Sequence, residues 1–125
     1  EHFTPRDVVW LMVDLILAGA ITFFQQPGVT LTLSDPCCGT AGMLTIGKSQ
    51  IEALNPSATV HLFGQEVNPE TYAIAKSDLY LKSSDGRDAD NIKFGSTLSN
   101  DQHSQMRFHC QLANPPYGKD WRLDA

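Results

Sequence analysis

The sequence predicts an α/β fold in which a mostly parallel sheet is flanked by helices. Short β-rich runs alternate with stretches of helical periodicity, a glycine-containing loop joins the first predicted strand to a helix, and polar residues follow directly after the strands. Strands that alternate with helices are typical of parallel sheets with right-handed crossovers. Because ligands of such sheets bind beyond the carboxyl ends of the strands, we also expect a ligand site at that edge.

The length and composition are those of a single domain with a hydrophobic core. The chain has 125 residues, of which 42% are hydrophobic. No apolar run reaches the roughly 18 residues that a membrane span requires, so we expect a cytoplasmic protein without a membrane segment. The three cysteines contain no Cys-x-x-Cys pair and the four histidines lack ligand spacing, which argues against a disulfide framework and against a bound metal.

The first predicted element is a helix near the amino terminus. Thr4 is expected to cap it, Pro5 to take its first position and Gly19 to end it. Its apolar face is predicted from residues at helical spacing, namely Val8, Leu11, Met12, Leu15 and Ile16. A connector through residues 25–28 then leads to the first strand.

The remaining elements are predicted from periodicity and from the Gly, Pro and Asn residues at their ends. Strands are expected at residues 29–34, 60–64, 92–94 and 108–113, the last of them buried. Helices are expected at residues 43–54 and 69–82, the second with Asn68 as its cap. A loop is expected at residues 83–91 and a turn at residues 95–98.

The loop after the first strand has the composition of a nucleotide-binding turn. Gly39 and Gly42 allow the backbone to approach a ligand closely. The spacing matches neither Gly-x-Gly-x-x-Gly nor a phosphate loop, which leaves a ligand with an amino-acid end and a nucleoside end. Asp35 would hold the ammonium group of such a ligand, and Glu66, after the next strand, would accept hydrogen bonds from ribose hydroxyls.

A second candidate site follows the last predicted strand, at Asn114-Pro115-Pro116-Tyr117. Proline fixes φ and offers no N–H. The Asn114 side chain and the Pro115 carbonyl therefore present hydrogen-bond acceptors, and Tyr117 presents a flat face. This chemistry suits a planar molecule that carries an amino group.

Together these segments resemble the modification subunit of type I restriction–modification systems, an N6-adenine DNA methyltransferase. The shared motifs, in chain order, are Phe3-Thr4-Pro5-Arg6, Asp35-Pro36-x-x-Gly39-Thr40-Ala41-Gly42-x-Leu44, Gly64-Gln65-Glu66-x-Asn68-Pro69-x-Thr71-Tyr72-x-x-Ala75-Lys76 and Asn114-Pro115-Pro116-Tyr117. The resemblance implies a Rossmann-like fold that uses S-adenosyl-L-methionine. It also implies double-stranded DNA and the specificity and restriction subunits of a type I complex as partners.

The resemblance implies a role for each motif. The segments expected to bind the cofactor are Phe3, Thr4 and Pro5, which close over its methionine part, the cradle of Asp35, Pro36, Gly39, Thr40 and Gly42, and the ribose ligand Glu66. The segment expected to be catalytic is Asn114, Pro115, Pro116 and Tyr117, in which two oxygens accept the target amino group and the ring stacks on the base.

One motif departs from the family pattern. The turn after the third strand reads Gly95-Ser96-Thr97-Leu98, whereas the family usually has Gly-Asp-Thr-Leu. Serine can still form a hydrogen bond, but without charge, so Ser96 is retained as a cofactor-binding candidate. The adjacent Cys37 and Cys38 are expected to pack rather than react, because free cysteine behaves as a small hydrophobe.

The length predicts an amino-proximal fragment of a catalytic domain. Residues 1–28 are expected to form a helix and connector that pack on the core, and residues 29–125 the first half of the methyltransferase domain. We expect weak or no methyl transfer by the 125 residues alone. The net charge of −5 and the scattered nine Lys and Arg residues indicate that most DNA phosphates are contacted elsewhere.

Three alternatives remain from the sequence. Enzymes that methylate a protein glutamine or an RNA guanine amino group share the Asn-Pro-Pro-aromatic signature. A catalytically degenerate module kept for subunit assembly would be consistent with Ser96. Covalent attack by Cys37, as in carbon-5 cytosine methylation, is disfavoured because the residue lies in the glycine loop.

Overall fold

A single parallel sheet organises the protein. The computed structural model describes residues 4–83, 85–118, 120 and 122. The strands are β1 (Thr30–Asp35), β2 (Thr59–Glu66), β3 (Ile92–Phe94) and β4 (Cys110–Gln111). They lie in the order β3-β2-β1-β4, and each neighbouring pair is parallel, which confirms the predicted fold class.

Helices connect β1 to β2 and β2 to β3 as in successive βαβ units, whereas turns without a helix connect β3 to β4. The helices are α1 (Arg6–Gly19), α2 (Ile21–Phe24), α3 (Gly42–Leu54), α4 (Pro69–Lys82) and α5 (Arg87–Asp90). The start of α4 is as predicted, because the Asn68 side chain accepts a hydrogen bond from the Thr71 N–H and Pro69 takes the first position. Within the described residues, no helix has the length and apolarity needed to cross a bilayer.

The face that α1 buries differs from the predicted one. The buried residues are Val9, Val13 and Leu17. Of the predicted face, Met12 and Ile16 are partly buried against the core, whereas Val8, Leu11 and Leu15 are exposed by 44%, 58% and 65%. Apolar residues surround this helix, so periodicity alone did not decide which stripe faces inward. The buried stripe packs against α3, where Val13 lies beside Gly47, and it is this tertiary contact that distinguishes it from the predicted stripe.

The start of α1 also corrects the sequence analysis. Pro5 is the residue before the first helical position, Arg6, and no side chain caps this end. The Thr4 hydroxyl instead accepts a hydrogen bond from Asn114 Nδ2 at 2.8 Å. Thr4 therefore bonds a residue near the opposite end of the chain instead of capping α1.

Two predicted irregular segments contain short helices. The connector before β1 includes α2, and the predicted loop 83–91 includes α5. Helix α5 is explained by the buried Asp88. Its Oδ1 accepts a hydrogen bond from the Leu62 N–H at 3.0 Å, and its Oδ2 pairs with Lys48 Nζ at 2.7 Å. Pairing between β2 and β3 begins only at Gly64, so Asp88 satisfies a backbone group that the sheet leaves unpaired.

The last strand is shorter and less buried than predicted, with two residues in place of the span 108–113, in which only Leu112 is buried. At its start, His109 Nδ1 accepts from the Thr32 N–H at 3.1 Å, and the His109 N–H donates to Thr32 Oγ1 at 3.0 Å. These side chains replace the ladder bonds of β1 at that point. Beyond the strand, the Leu112 N–H still donates to the Ser34 carbonyl at 2.9 Å, so the chain continues alongside β1 as it approaches the Asn-Pro-Pro-Tyr segment.

Replacing Gly64 by alanine is expected to lower the free energy of unfolding by about 1–3 kcal/mol. A Cβ there would lie 2.9 Å from Cys38 Sγ, 3.0 Å from Cys38 Cβ and 2.9 Å from Ile92 Cδ1. Chemical denaturation measures the effect. Gly19→Ala is the matched control, since nothing lies within 4 Å of its Cβ position and no loss is expected there. Equal stability of the two variants would contradict the tight packing beneath the glycine loop.

Candidate active site

A cavity of about 230 Å³ opens beside the end of β1, where the order of the strands in the sheet reverses. β1 lies between β2 and β4, so the chain runs first to one side of β1 and later to the other. Such a switch point is where open α/β sheets bind ligands. The predicted site residues in the cavity wall are Thr4, Asp35, Gly39, Thr40, Gly42 and Asn114. The predicted convergence of the β1 loop and the Asn-Pro-Pro-Tyr segment is therefore present in the structure.

The glycine loop, residues 39–42, adopts a strained backbone conformation and contacts the end of β2. Gly39 has a φ of +56°, and Ala41, directly before α3, has a φ of +66° although it carries a Cβ. A non-glycine residue in this region is uncommon and costs about 1–3 kcal/mol, so the surrounding contacts must impose it. One such contact is the hydrogen bond from the Gly39 N–H to Glu66 Oε2 at 2.7 Å.

Asp35 supplies a buried acid to the cavity. It is the last residue of β1, 1% exposed, and its Oδ1 accepts a hydrogen bond from the Cys37 N–H at 3.0 Å. Burial raises the pKa of Asp35 from 3.8 to about 6, against the opposing effect of the hydrogen bonds from Cys37. No cation pairs with it among the residues described. A cationic group placed in the cavity would relieve this penalty.

Glu66 lies next to the cavity and is fixed by backbone groups. Its Oε1 accepts from the N–H groups of Val67 and Asn68 at 2.9 and 3.0 Å, while Oε2 accepts from Gly39. A carboxylate has about four lone-pair positions, so acceptor capacity remains for a hydroxyl. The side chain is therefore oriented before any ligand arrives.

The turn 95–98 is joined to both neighbouring loops. The Thr97 hydroxyl donates to the Pro36 carbonyl, and the Gly95 N–H donates to the Glu66 carbonyl at 2.9 Å. Ser96 is half-buried, and its hydroxyl forms no hydrogen bond within residues 4–83 and 85–118. Thr97 thus makes the structural contact of this turn, and the role of Ser96 stays a prediction.

Asn114 is held by one residue from each end of the chain. Its Nδ2 donates to Thr4 Oγ1, and its Oδ1 accepts from the Tyr117 hydroxyl at 3.0 Å. The Tyr117 ring is 87% exposed, and Pro115 and Pro116 are exposed as well. The amide is thus oriented with its nitrogen toward Thr4, and a second lone pair of its oxygen remains for another donor.

Of the two thiols of the loop, Cys38 packs in the core as predicted, and Cys37 is half-buried at the cavity wall. Cys38 is buried against Gly64, and burial raises its pKa. Burial and the nearby Asp35 raise the pKa of Cys37 to about 11, partly offset by the Asn114 N–H. Both side chains are therefore protonated thiols at neutral pH and poor nucleophiles. The same Asn114 contact brings the Asn-Pro-Pro-Tyr segment against the glycine loop.

The structure also adds residues to the site and leaves others aside. Arg6, Met43 and Ile46 line the cavity but were not predicted as site residues. Met43 and Ile46 are apolar helix residues without a distinct sequence signal, and the signal for Arg6 was its place in the Phe-Thr-Pro-Arg motif. Pro5 is exposed and outside the cavity wall. Phe3 lies outside the described residues.

Comparison with known proteins assigns the chain to a family. The family model described as N-6 DNA Methylase matches residues 1–125. The chain belongs to the N-6 DNA methylase family. The family to which the motifs pointed is thereby confirmed.

Relatives of this chain include subunits of type I restriction enzymes. The methylase subunits of the restriction enzymes MjaVII and MjaIX of Methanocaldococcus jannaschii are 30% and 24% identical to it over 100% and 97% of the chain. The chain spans about a fifth of their length, 19% and 20% respectively.

A solved structure supports the fold. A protein from Listeria monocytogenes described as a class I S-adenosylmethionine-dependent methyltransferase matches 78% of this chain and 27% of its own, with a TM-score of 0.57 and 22% identity. The predicted Rossmann-like methyltransferase fold is thereby confirmed.

Proposed function

We propose that the chain forms the cofactor-binding and catalytic part of a DNA methyltransferase that transfers a methyl group from S-adenosyl-L-methionine to the N6 amino group of adenine. One observation carries the proposal: the buried acid Asp35 and the amide of Asn114 line the same cavity. A group bound at the first can therefore reach a base held at the second. Membership of the N-6 DNA methylase family supports the same reaction.

The residues of the cavity fit S-adenosyl-L-methionine. Asp35 is a buried carboxylate that has no cationic partner among the described residues, and the methionine end of the cofactor carries an ammonium group. Glu66, one hydrogen bond away through Gly39, has acceptor capacity for ribose hydroxyls. The volume of about 230 Å³ is below the roughly 300–1,000 Å³ of whole ligand pockets, so it accommodates one end of an extended molecule. When bound, the cofactor supplies an electrophilic methyl group on sulfur.

The residues of the Asn-Pro-Pro-Tyr segment activate the target amine. The lone pair of an adenine amino group is delocalised into the ring, which makes it a weak nucleophile. Asn114 Oδ1 and the Pro115 carbonyl accept its two hydrogens and draw them out of the ring plane, so the lone pair localises on nitrogen. Thr4 fixes the amide so that its oxygen faces the base. Holding the amine in place contributes much of the remaining rate enhancement.

In the proposed reaction, Tyr117 changes its contact from the Asn114 side chain to the target base. Its hydroxyl bonds Asn114 Oδ1 in the structure, and its ring is almost fully exposed. Adenine must leave the duplex before its amino group is accessible, which costs a few kcal/mol. Stacking on the Tyr117 ring returns about 1–3 kcal/mol of that cost.

The proposed setting is a type I restriction–modification complex. The net charge of −5 gives this chain little electrostatic attraction for DNA, so the phosphate contacts come from other parts of the assembly. The specificity and restriction subunits are the proposed partners, and a cytoplasmic location follows from the DNA substrate.

A methyl-transfer assay with the complete gene product tests the proposal. Radiolabelled S-adenosyl-L-methionine is incubated with DNA, with RNA and with protein, each in the presence of any subunits encoded beside the gene. Label is expected in DNA alone, as N6-methyladenine after nuclease digestion. Label in RNA or protein instead would support one of the alternative acceptors, and specific cofactor binding without transfer to any substrate would support the assembly module.

A further inference from the structure

The outward side of α1 carries an apolar stripe on the protein surface. Val8, Leu11 and Leu15, here called the α1 stripe, share one side of the helix and are all exposed. The opposite side of the same helix is buried in the core, so α1 is apolar on two sides. Single exposed apolar residues are normal, whereas a contiguous exposed stripe marks an interaction site. A helix that is apolar nearly all round is typically buried in its assembly.

Two acids border the α1 stripe along one edge. Asp7 and Asp14 are both exposed, and they lie two helical turns, or about 10 Å, apart. Neither carboxylate forms an ion pair within residues 4–83 and 85–118. Asp7 is in the first turn, where an acid also favours the helix dipole. Asp14 is in the middle of α1, where the dipole gives an acid no advantage, so its place calls for another explanation.

Asp14 is held at this edge by α3. Gln50 Nε2 donates to Asp14 Oδ1 at 3.1 Å, which fixes the direction of the Gln50 amide. The buried Oε1 of Gln50 then finds no hydrogen-bond donor among the described residues, and an unsatisfied buried acceptor lowers stability. Trp10, one turn before Asp14, is half exposed and adds an aromatic ring on the same side of the helix. The structure thus keeps an oriented carboxylate and an aromatic ring beside the α1 stripe.

We propose that the α1 stripe binds an amphipathic helix of a partner subunit, in which Lys or Arg residues two turns apart flank the apolar residues. The α1 stripe with its row of acids has the pattern of one helix of a coiled coil, where apolar residues meet at the seam and the charges beside it select the partner. A basic residue of the partner would meet Asp14 and Trp10 together, which adds a cation–π contact to the ion pair. The source of the helix, a subunit of the same complex, rests on the proposed function.

A second copy of the chain fits this surface less well. If two copies of α1 packed antiparallel along the stripe, Asp7 of each would lie opposite Asp14 of the other, and like charges repel. Parallel packing would place the same acids opposite Met12 and Gly19, which offer no positive charge. Charge complementarity therefore favours a partner with basic residues over self-association.

Photocrosslinking tests the inference on the complete gene product, co-purified with any subunits encoded beside its gene. A photoreactive amino acid replaces Leu11 in the α1 stripe or, as the control, Leu81 on α4, which is 87% exposed. Mass spectrometry is expected to find the Leu11 position joined to a helix of a partner subunit with apolar residues every three to four positions and Lys or Arg beside them. No crosslink to that helix is expected from the Leu81 position.

Substitutions test the apolar and the charged part of the surface separately. Leu11→Ser is expected to weaken subunit binding by about 10- to 100-fold, the loss from leaving one leucine without its buried contact. Asp14→Lys is expected to weaken it by about 3- to 10-fold at low salt and by less at high salt. Leu81→Ser and Asp78→Lys make the same changes on exposed positions of α4 and should leave the affinity unchanged. Circular dichroism checks that α1 persists in each variant.

The outcomes distinguish this inference from the proposed function. A crosslink from the Leu11 position to a second copy or to another part of the same gene product would overturn the inference, as would the absence of any crosslinked partner. A partner helix with acidic or uncharged flanks would also overturn it. DNA methylation is measured on the same preparation. Methylation without the crosslink would refute only this inference, whereas the crosslink without methylation would refute the proposed function.

Discussion

Asn114→Ala is expected to lower kcat for methyl transfer by about 100- to 1,000-fold, the loss seen when one well-placed hydrogen-bonding group is removed from an active site. The variant loses the oxygen that accepts from the amine, and the Pro115 carbonyl alone cannot localise the lone pair. Cofactor affinity is expected to change by less than about threefold, since Asp35, Glu66 and the glycine loop remain. Single-turnover transfer and calorimetry on the complete gene product measure the two quantities.

A control variant separates catalysis from folding. Asn100→Ala removes an exposed asparagine side chain that makes no hydrogen bond in the described segments, and both rate and affinity should be unaffected. Loss of transfer together with loss of cofactor binding in Asn114→Ala would assign Asn114 a structural role, in which its bond to Thr4 holds the amino-terminal segment on the cavity.

Asp35→Asn is expected to stabilise the free protein and to abolish cofactor binding at the same time. The pKa of Asp35 is raised in the folded state from 3.8 to about 6. The protonated form is therefore favoured by folding, so the stability that this group contributes is fully present below pH 3.8 and is lost as the pH rises through 6. Above pH 6 the variant should exceed the unsubstituted protein by up to about 3 kcal/mol in free energy of unfolding.

The loss of binding has the same origin. Asparagine can still accept from the Cys37 N–H, but it offers no charge to an ammonium group. Urea unfolding between pH 4 and pH 8, with and without cofactor, measures both effects. Asp78→Asn, on an exposed face of α4, is the control and should change neither quantity. Stability curves of Asp35→Asn and the unsubstituted protein that run parallel across this pH range would contradict the assigned role of the buried acid.

The sequence predicted features that depend on backbone geometry alone. The order of strands and helices placed Asp35 and Asn114 at the same edge of a sheet, although 79 positions separate them, because parallel strands bring their carboxyl ends together. The start of α4 was predicted correctly because Asn68 and Pro69 act locally. The family motifs supplied the same assignments independently.

The errors concern contacts between distant side chains. Periodicity predicted one apolar face for α1, whereas the residues that are fully buried there belong to a neighbouring stripe that packs against α3. Thr4 has the chemistry of a cap, yet it bonds Asn114. β4 is shortened because His109 takes a backbone group of Thr32. In each case the structure is determined by a contact with a residue far away in the sequence, which a pattern of neighbouring residues does not reveal.

Arg6 shows a different limit of the sequence. An arginine in the first turn of a helix has the pattern of a solvated surface residue, and Arg6 is indeed exposed, but the structure also places it at the wall of the cavity that Asp35 lines. The signal that could have drawn attention to it is its position in the Phe-Thr-Pro-Arg motif, directly after three residues that were assigned to the cofactor.

A crystal structure with bound S-adenosylhomocysteine tests the central claim most directly, because that ligand keeps both ends of the cofactor and lacks the methyl group. The account predicts its ammonium within about 3 Å of the Asp35 carboxylate and a ribose hydroxyl within about 3 Å of Glu66. Its sulfur would then face Asn114. A ligand bound away from the β1 loop, or one whose sulfur points away from Asn114, would contradict the account.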